Sequence, residues 1–405
     1  MAVGLTQPES LLPVRGIRLA AGACGIKADQ QSDLVLIVAD EGTQSAAVFT
    51  KNAYSAAPVK IARDHMEQAT SNALLINSGN ANAGTGMQGE EDARQLCATV
   101  ASELGFSSRQ VLPFSTGVIS APLPVDLMLE GIQQLVPRLS ENSWLEAAVA
   151  IMTTDTVAKG ISSTCVIDGQ EITITGIAKG SGMIQPNMAT MLSFIATDAA
   201  VDPYSLQQFI QTVTDISFNC ITVDGDTSTN DAFVLMASGV ARNRLLSPSH
   251  PEWDVFTKAI ESVSIQLAQS IIRDGEGATR FIEMRVTGGA TTEDCRQVGF
   301  TVANSPLVKT AFFAGDPNLG RILAAVGRSK IDDLNMQSVS LFIGDLPVVE
   351  KGEPSPQYDE QQAAAIMAHE DVTLHIDLGM GEEQACIWTT DLSFDYVKIN
   401  SEYRS

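Results

Sequence analysis

Segments with strand-like and helix-like patterns alternate along almost the whole chain, and this alternation restricts the folds that it can adopt. Apolar or alternating runs predict strands at 33–40, 46–50, 73–79, 190–199, 281–288, 372–379 and 383–393. Amphipathic runs predict helices at 90–105, 140–156, 203–220 and 250–275. Strands and helices interleaved in this way, with short turns between them, predict an α/β protein with layered sheets and helices.

Two local signals fix where predicted elements begin or end. Gly105 directly follows the helical run 90–105, which predicts a helix that ends in a glycine cap. The pair Asp168-Gly169 lies near the start of the run 165–182, and such a pair is a strong turn signal between two strands. That run is therefore predicted to form a β-hairpin.

The composition argues against several partners. The formal net charge of the 405 residues is −23, whereas nucleic acids and anionic membranes bind basic surfaces. The N-terminus lacks the pattern of a signal peptide, and no apolar run approaches the ~20 residues that span a bilayer. The six cysteines are scattered, with none at CxxC spacing, and are typical of reduced thiols in a cytoplasmic protein. The four isolated histidines give no local signature of a zinc site.

The segment KGSGMIQPNMATMLSF (179–194) places Thr190 behind the small residue Ala189, where a strand is predicted to begin. A threonine hydroxyl becomes a good nucleophile when the α-amine of the same residue acts as its base, which requires the threonine to be N-terminal. Self-cleavage between Ala189 and Thr190 would create that amine. The alternative is an ordinary strand threonine preceded by turn glycines.

The segment 179–199 resembles the signature of the ornithine acetyltransferases, the glutamate N-acetyltransferases of the cyclic arginine pathway that are known as ArgJ proteins. The resemblance extends over essentially the whole chain. The blocks that carry it are 48–59, 76–86, 115–120, 151–156, 218–231, 273–280, 303–322 and 395–405.

The resemblance implies an autoprocessed enzyme with an α chain (1–189) and a β chain (190–405) that together form one interlocked catalytic unit. Its fold would resemble the Ntn hydrolases in its layers and differ from them in connectivity. Thr190 would carry the acetyl group from N2-acetyl-L-ornithine to L-glutamate, without a metal or organic cofactor. Some family members also use acetyl-CoA as the donor. An α2β2 heterotetramer in the cytoplasm is implied as well.

The resemblance also assigns roles to single residues. Thr116 and Gly117 match the pair that forms the family's oxyanion hole. Lys179 matches a lysine of the substrate site, where it could bind a carboxylate or lower the pKa of the new α-amine. Without the resemblance, Thr116 and Gly117 indicate a turn at a strand end, and Lys179 a solvated lysine.

Four further positions are implied to bind substrate. Glu276 matches a glutamate suited to an ammonium group of ornithine, and Asn400 and Ser405 match a polar pair at the C-terminus. A terminal threonine is more usual at position 405, and serine keeps the hydroxyl. Within 151–156 the preferred substrate contact is Thr153, with Thr156 as the alternative.

Two other functions are compatible with the sequence. One is a self-processing aminopeptidase of the DmpA type, in which serine is usual at the new N-terminus. The other is a non-catalytic amino-acid-binding protein that is never cleaved. The acidic cluster at 223–231 suggests calcium, but it lacks the ligand spacing of an EF-hand loop.

Overall fold

The computed structural model describes residues 2–185 and 191–402. Its strands are β1 Ile17–Gly22, β2 Leu34–Ala39, β3 Gln44–Phe49, β4 Ala73–Asn80, β5 Val111–Val118, β6 Lys159–Ile167, β7 Gln170–Lys179, β8 Leu192–Thr197, β9 Ile221–Thr222, β10 Ala232–Ala237, β11 Phe281–Gly289, β12 Ser340–Ile343, β13 Leu346–Glu350, β14 Glu353–Pro354, β15 Asp371–Asp377 and β16 Glu383–Thr390. Its α-helices are α1 Ala57–Gln68, α2 Gly86–Leu104, α3 Val125–Leu135, α4 Trp144–Ala150, α5 Pro203–Asp215, α6 Trp253–Arg273, α7 Thr292–Ala303, α8 Pro306–Ala314, α9 Leu319–Gly327, α10 Glu360–Met367 and α11 Phe394–Ser401.

Two sheets pack face to face at the centre of the molecule. The first has the strand order β1-β2-β4-β5 and the second the order β3-β10-β8-β7-β6. A buried apolar cluster fills the space between them and includes Phe114 from β5 and Phe194 from β8, whose rings meet edge to face at 5.1 Å. Helices α2 and α3 cover the outer face of the first sheet, and α5 and α6 cover that of the second. The central unit is therefore a helix–sheet–sheet–helix sandwich.

A third sheet, with the order β14-β13-β12-β15-β11-β16-β9, packs on the side of α6. Helices α7 to α10 bury their apolar side chains against it in a separate cluster. Residues from β9 and β16 also join the cluster around α6, which thus lies between the second and third sheets. The loop after α6 therefore lies where the two halves of the fold meet.

The structure confirms the predicted layered α/β fold and most of its elements. Gly105 follows α2 in the left-handed conformation (φ 75°), and Asp168 and Gly169 connect β6 to β7. The predicted helix 140–156 is wrong in extent, because α4 spans only Trp144–Ala150. Backbone N–H groups after α4 bind buried carboxylates in place of helical carbonyl groups, as described below.

None of the described helices is long and apolar enough to cross a lipid bilayer.

We expect Phe194→Ala to destabilise the protein by about 3–5 kcal/mol, because the side chain is fully buried between the two central sheets. The measurement is the thermal unfolding midpoint followed by circular dichroism. Val166→Ala is the control, because Val166 is 57% exposed and its truncation leaves no cavity. Equal midpoints for the two variants would contradict this account of the core.

Candidate active site

A cavity of about 240 Å³ lies where β5 and β7 end and β10 begins. The site residues that the sequence predicted and the structure describes all line it. They are Thr116, Gly117, Thr153, Lys179, Glu276 and Asn400. Ala189, Thr190 and Ser405, the other predicted positions, lie outside the described residues. Residues that are far apart in sequence thus line one cavity.

Thr116 and Gly117 lie at an irregularity in the pairing of β5 with β4. Asn80 of β4 is in register with both Thr116 and Val118 at this point. Gly117 has a φ of 132°, and a Cβ atom there would overlap the backbone of Gly79. Only glycine fits such a close approach of two backbones. The irregularity therefore requires glycine at the position where the cavity opens.

Lys179, the last residue of β7, is linked directly to Thr116. Its Nζ donates a hydrogen bond of 3.2 Å to the Thr116 hydroxyl oxygen. Because the oxygen accepts this bond, the hydroxyl proton of Thr116 is free to point to another acceptor. The lysine thus prepares Thr116 to act as a donor in the cavity.

Burial lowers the pKa of Lys179, and the charge of Lys159 adds to that effect. The carboxylates of Asp155, Asp231 and Glu276 oppose it. A lysine with a lowered pKa loses its proton closer to physiological pH than an exposed lysine does. The state of its proton decides whether it donates to Thr116.

Glu276 and Asn400 also line the cavity and are hydrogen-bonded to each other. The Nδ2 of Asn400 donates to the Glu276 carboxylate at 2.8 Å and to the carbonyl oxygen of Tyr396 at 3.0 Å. Glu276 is 6% exposed, so its charge is largely shielded from solvent. A buried carboxylate with one amide partner is a suitable acceptor for a ligand ammonium group.

Glycine at position 182 allows the Glu276 side chain to lie against the main chain. The backbone N–H of Glu276 donates to the carbonyl oxygen of Ser181 at 2.9 Å. A Cβ atom on Gly182 would overlap the Glu276 carboxylate. The conformation of segment 179–185 therefore determines where the carboxylate lies.

The ammonium group of Lys159 is bonded to two buried carboxylates beneath the cavity. Its Nζ lies 2.6 Å from an oxygen of Asp155 and 2.6 Å from one of Asp274, and the three side chains have almost no exposure. Burial would raise the pKa of Asp155, but the ammonium groups of Lys159 and Lys179 hold it well below its usual range. These three residues, which we call the Lys159 clamp, were not predicted from the sequence.

The Lys159 clamp fixes the loop that follows α4. Asp155 accepts from the backbone N–H of Thr153 at 2.9 Å and from that of Gly180 at 2.8 Å. Asp274 accepts from both the backbone N–H and the hydroxyl of Thr156. Thr156 is therefore bound within the protein, whereas Thr153 lines the cavity. This arrangement favours Thr153 as the ligand contact.

The sequence analysis missed a further wall, formed by Ser228, Thr229 and Asn230. The Nδ2 of Asn230 donates to the carbonyl oxygens of Ala81 and Ser115, at 2.6 and 2.9 Å, and so joins the start of β10 to the ends of β4 and β5. These residues belong to the acidic cluster that had suggested calcium. The polar residues inside that cluster are the sequence signal from which this wall could have been predicted.

The carboxylate of Asp224, a residue of the acidic cluster that had suggested calcium, accepts hydrogen bonds from the backbone. It accepts from the backbone N–H groups of Met183 and Ile184, at 2.7 and 2.9 Å, and from the Tyr396 hydroxyl at 3.3 Å. This carboxylate therefore connects segment 179–185 to α11, which carries Asn400.

The cavity combines three chemical capabilities. Thr116 and Gly117 can supply hydroxyl and backbone donors to a developing oxyanion. Glu276 offers a negative charge to the cavity, and Lys179 a positive one. A small molecule with both an ammonium group and a carbonyl or carboxylate group fits this distribution of charge.

The chain matches the ArgJ family over residues 18–405. It is 46% identical over its full length to the arginine biosynthesis bifunctional protein ArgJ of Psychrobacter arcticus, the whole of which is also covered. A crystal structure of the ArgJ protein of Bacillus halodurans matches 53% of the chain and all of that structure's chain, with 42% identity and a TM-score of 0.51. A structure of a Mycobacterium tuberculosis ornithine acetyltransferase in complex with ornithine matches 44% of the chain and 94% of its own, with 33% identity and a TM-score of 0.39.

We expect Gly117→Ala to lower the unfolding midpoint more than Gly42→Ala does. Both glycines have positive φ, which costs about 1–3 kcal/mol for another residue. A Cβ atom on Gly42 meets no atom of the described residues within 4 Å, whereas one on Gly117 overlaps the backbone. Thermal unfolding of the two variants side by side measures the difference. Equal losses would show that β4 and β5 tolerate a side chain at this junction.

Proposed function

The chain belongs to the ArgJ family, and from this premise we propose that it is an acetyltransferase of arginine biosynthesis that moves the acetyl group of N2-acetyl-L-ornithine to L-glutamate. The reaction passes through an ester on Thr190. The observation that supports the proposal is that Thr116, Gly117, Lys179 and Glu276 line the same cavity. An oxyanion hole and a site for a charged amino acid are thereby combined.

The first step is self-cleavage. The Thr190 hydroxyl attacks the carbonyl carbon of Ala189, and the peptide C–N bond breaks as the nitrogen takes up a proton. Water then hydrolyses the resulting ester and leaves a carboxylate on Ala189 and a free α-amine on Thr190. The products are an α chain (1–189) and a β chain (190–405), which stay together as one catalytic unit.

The second step is acetyl transfer. The α-amine of Thr190 accepts the hydroxyl proton while the oxygen attacks the acetyl carbonyl of acetylornithine. The hydroxyl of Thr116 and the backbone N–H of Gly117 stabilise the oxyanion, and one such donor is worth about 2.7–4 kcal/mol. Ornithine leaves with a proton on its nitrogen. The amine of glutamate then attacks the ester, which regenerates Thr190.

Charge complementarity orients the substrate. Glu276, held by Asn400, accepts an ammonium group of ornithine. Lys179, which donates to Thr116, attracts a substrate carboxylate, and Thr153 in the same cavity provides a further polar contact. The family resemblance assigns another polar contact to Ser405. The donor and the acceptor are both amino acids, so one set of contacts serves each in turn.

The chemistry requires neither a metal nor an organic cofactor, because nucleophile, base and oxyanion donors all come from the chain. Acetyl-CoA serves as an additional donor, in keeping with the word bifunctional in the name of the P. arcticus relative. The enzyme works in the cytoplasm as an α2β2 heterotetramer.

We expect Thr190→Ala to remain a single chain of 405 residues and to transfer no acetyl group. The wild type should yield fragments 1–189 and 190–405, and with acetylornithine alone the second fragment should gain one acetyl group. Intact-mass spectrometry measures both. Thr190→Ser keeps a hydroxyl and should be cleaved, although more slowly. Acetyl transfer by the uncleaved Thr190→Ala protein would rule out the proposed nucleophile.

We expect Glu276→Gln to raise KM for acetylornithine by about 10- to 100-fold, since a hydrogen bond to a charged group is worth about 1.5–3 kcal/mol. Initial rates at varied acetylornithine concentration measure the change. Glu91→Gln, on the exposed side of α2, is the control and should leave KM unchanged. An unchanged KM in Glu276→Gln would place the ammonium site elsewhere.

A further inference from the structure

Met183 has an unusual backbone conformation for an apolar residue. Its φ is 55°, in the left-handed region that costs free energy for any residue with a Cβ atom. Among the residues that the structure describes, the others that have a positive φ without being glycine all carry polar or charged side chains: Gln30, Asn82, Ser120, Asp168, Arg242, Lys330, Asp333 and Lys351. The chain therefore places an apolar side chain where glycine would be less strained.

Core packing does not explain the methionine. Met183 is 42% exposed and is not a member of the apolar clusters that fill the described part of the molecule. The next residue, Ile184, is buried in the cluster around α6. A strained conformation with an exposed apolar side chain adds little to stability, and such positions are concentrated at functional sites.

Contacts on both sides of Met183 hold its backbone in this conformation. The Asp224 carboxylate accepts from the backbone N–H of Met183 at 2.7 Å and from that of Ile184 at 2.9 Å. Two residues before Met183, the hydroxyl of Ser181 donates to the carbonyl oxygen of Asp274 at 2.6 Å. The direction in which the Met183 side chain leaves the backbone is therefore fixed by the surrounding structure.

Met183 lines the active-site cavity beside the acidic group. Gly182, which precedes it, packs its main chain against the Glu276 carboxylate. The other residues of the cavity lining with apolar side chains are Ala81 and Ile119, which belong to a small cluster next to α1. The cavity thus offers an apolar surface in addition to polar groups for the two ends of an amino acid.

We propose that Met183 is a specificity-determining residue of the acetyl-transfer site, whose side chain packs against the methylene groups of the amino acid and excludes longer chains. Ornithine and glutamate both have five-carbon chains, so one apolar contact of this kind suits both. Methionine is unbranched and adaptable, and it can therefore contact two chains of slightly different composition. This inference rests on the proposed function.

The test compares N2-acetyl-L-ornithine with N2-acetyl-L-lysine, which is longer by one methylene group. Wild type should prefer acetylornithine, since a hydrophobic site discriminates one methylene group by about 10- to 200-fold. Met183→Ala makes room for the longer chain, so the ratio of kcat/KM for acetylornithine to that for acetyl-lysine should fall about tenfold. This ratio does not depend on the fraction of active protein, so slow self-cleavage of a variant does not disturb it.

Two controls separate the side chain from the backbone. Met183→Leu keeps an apolar side chain of similar volume and should retain most of the preference. Lys330→Gly is matched to Met183→Gly, because Lys330 is also left-handed (φ 59°) and exposed but does not line the cavity. Both glycine variants relieve the same kind of backbone strain, so their unfolding midpoints should change similarly. Only Met183→Gly should lose the preference for acetylornithine.

A binding measurement gives the same preference without turnover. Isothermal titration of the uncleaved Thr190→Ala protein with L-ornithine and with L-lysine yields two dissociation constants. Adding Met183→Ala to this protein should reduce the preference for ornithine about tenfold.

The two proposals fail in different ways. An unchanged ratio of kcat/KM in Met183→Ala would overturn the role of Met183, even though the enzyme transfers acetyl from acetylornithine. A lower unfolding midpoint of Met183→Gly than of Lys330→Gly, together with an unchanged preference, would also overturn it and would assign the side chain to stability. A wild-type protein that transfers no acetyl group would refute the proposed function, and the binding ratio would still decide whether Met183 selects chain length.

Discussion

The geometry of the active site depends on one buried ammonium group, that of Lys159. Asp155 and Asp274 both bind it, and each carboxylate also accepts from the backbone of the loop after α4, in which Thr153 lines the cavity. Buried ion pairs contribute little net stability, but loss of one partner leaves an unpaired charge that costs about 3–5 kcal/mol. The clamp therefore fixes geometry more than it adds stability. The position of the loop after α4 is strongly defined as long as all three members of the clamp are present.

The residues that line the site come from elements in different layers of the fold. Thr116 comes from the first central sheet and Lys179 from the second, while Glu276 follows α6 and Asn400 lies on α11. Hydrogen bonds between these residues cross from layer to layer, as in the contacts of Lys179 with Thr116 and of Asn400 with Glu276. A shift of one layer against another would therefore change the distances between these residues in the cavity.

Local patterns in the sequence predicted the layered fold because strand and helix periodicities reflect burial next to each residue. Motif resemblance brought together Thr116, Lys179, Glu276 and Asn400. The Lys159 clamp was missed because Asp274 lies more than a hundred residues from Asp155 and Lys159 in the sequence, and an aspartate after a helix gives no local sign of burial. The helix at 140–156 was predicted too long because helical propensity does not reveal that the backbone N–H of Thr153 binds the Asp155 carboxylate and that of Thr156 the distant Asp274 carboxylate.

The strand order β3-β10-β8-β7-β6 has a consequence for how the protein can be denatured and recovered. The proposed cut before Thr190 would assign β8 and β10 to one fragment and β3, β6 and β7 to the other, so strands of the two fragments would flank one another in a single sheet. The intact chain folds in a unimolecular reaction, but the cut protein would have to reassemble by collision of two incomplete pieces. Its recovery after denaturation would depend on protein concentration, and at high dilution it would be lost. The proposed cleavage would thus make folding a step that the molecule takes once.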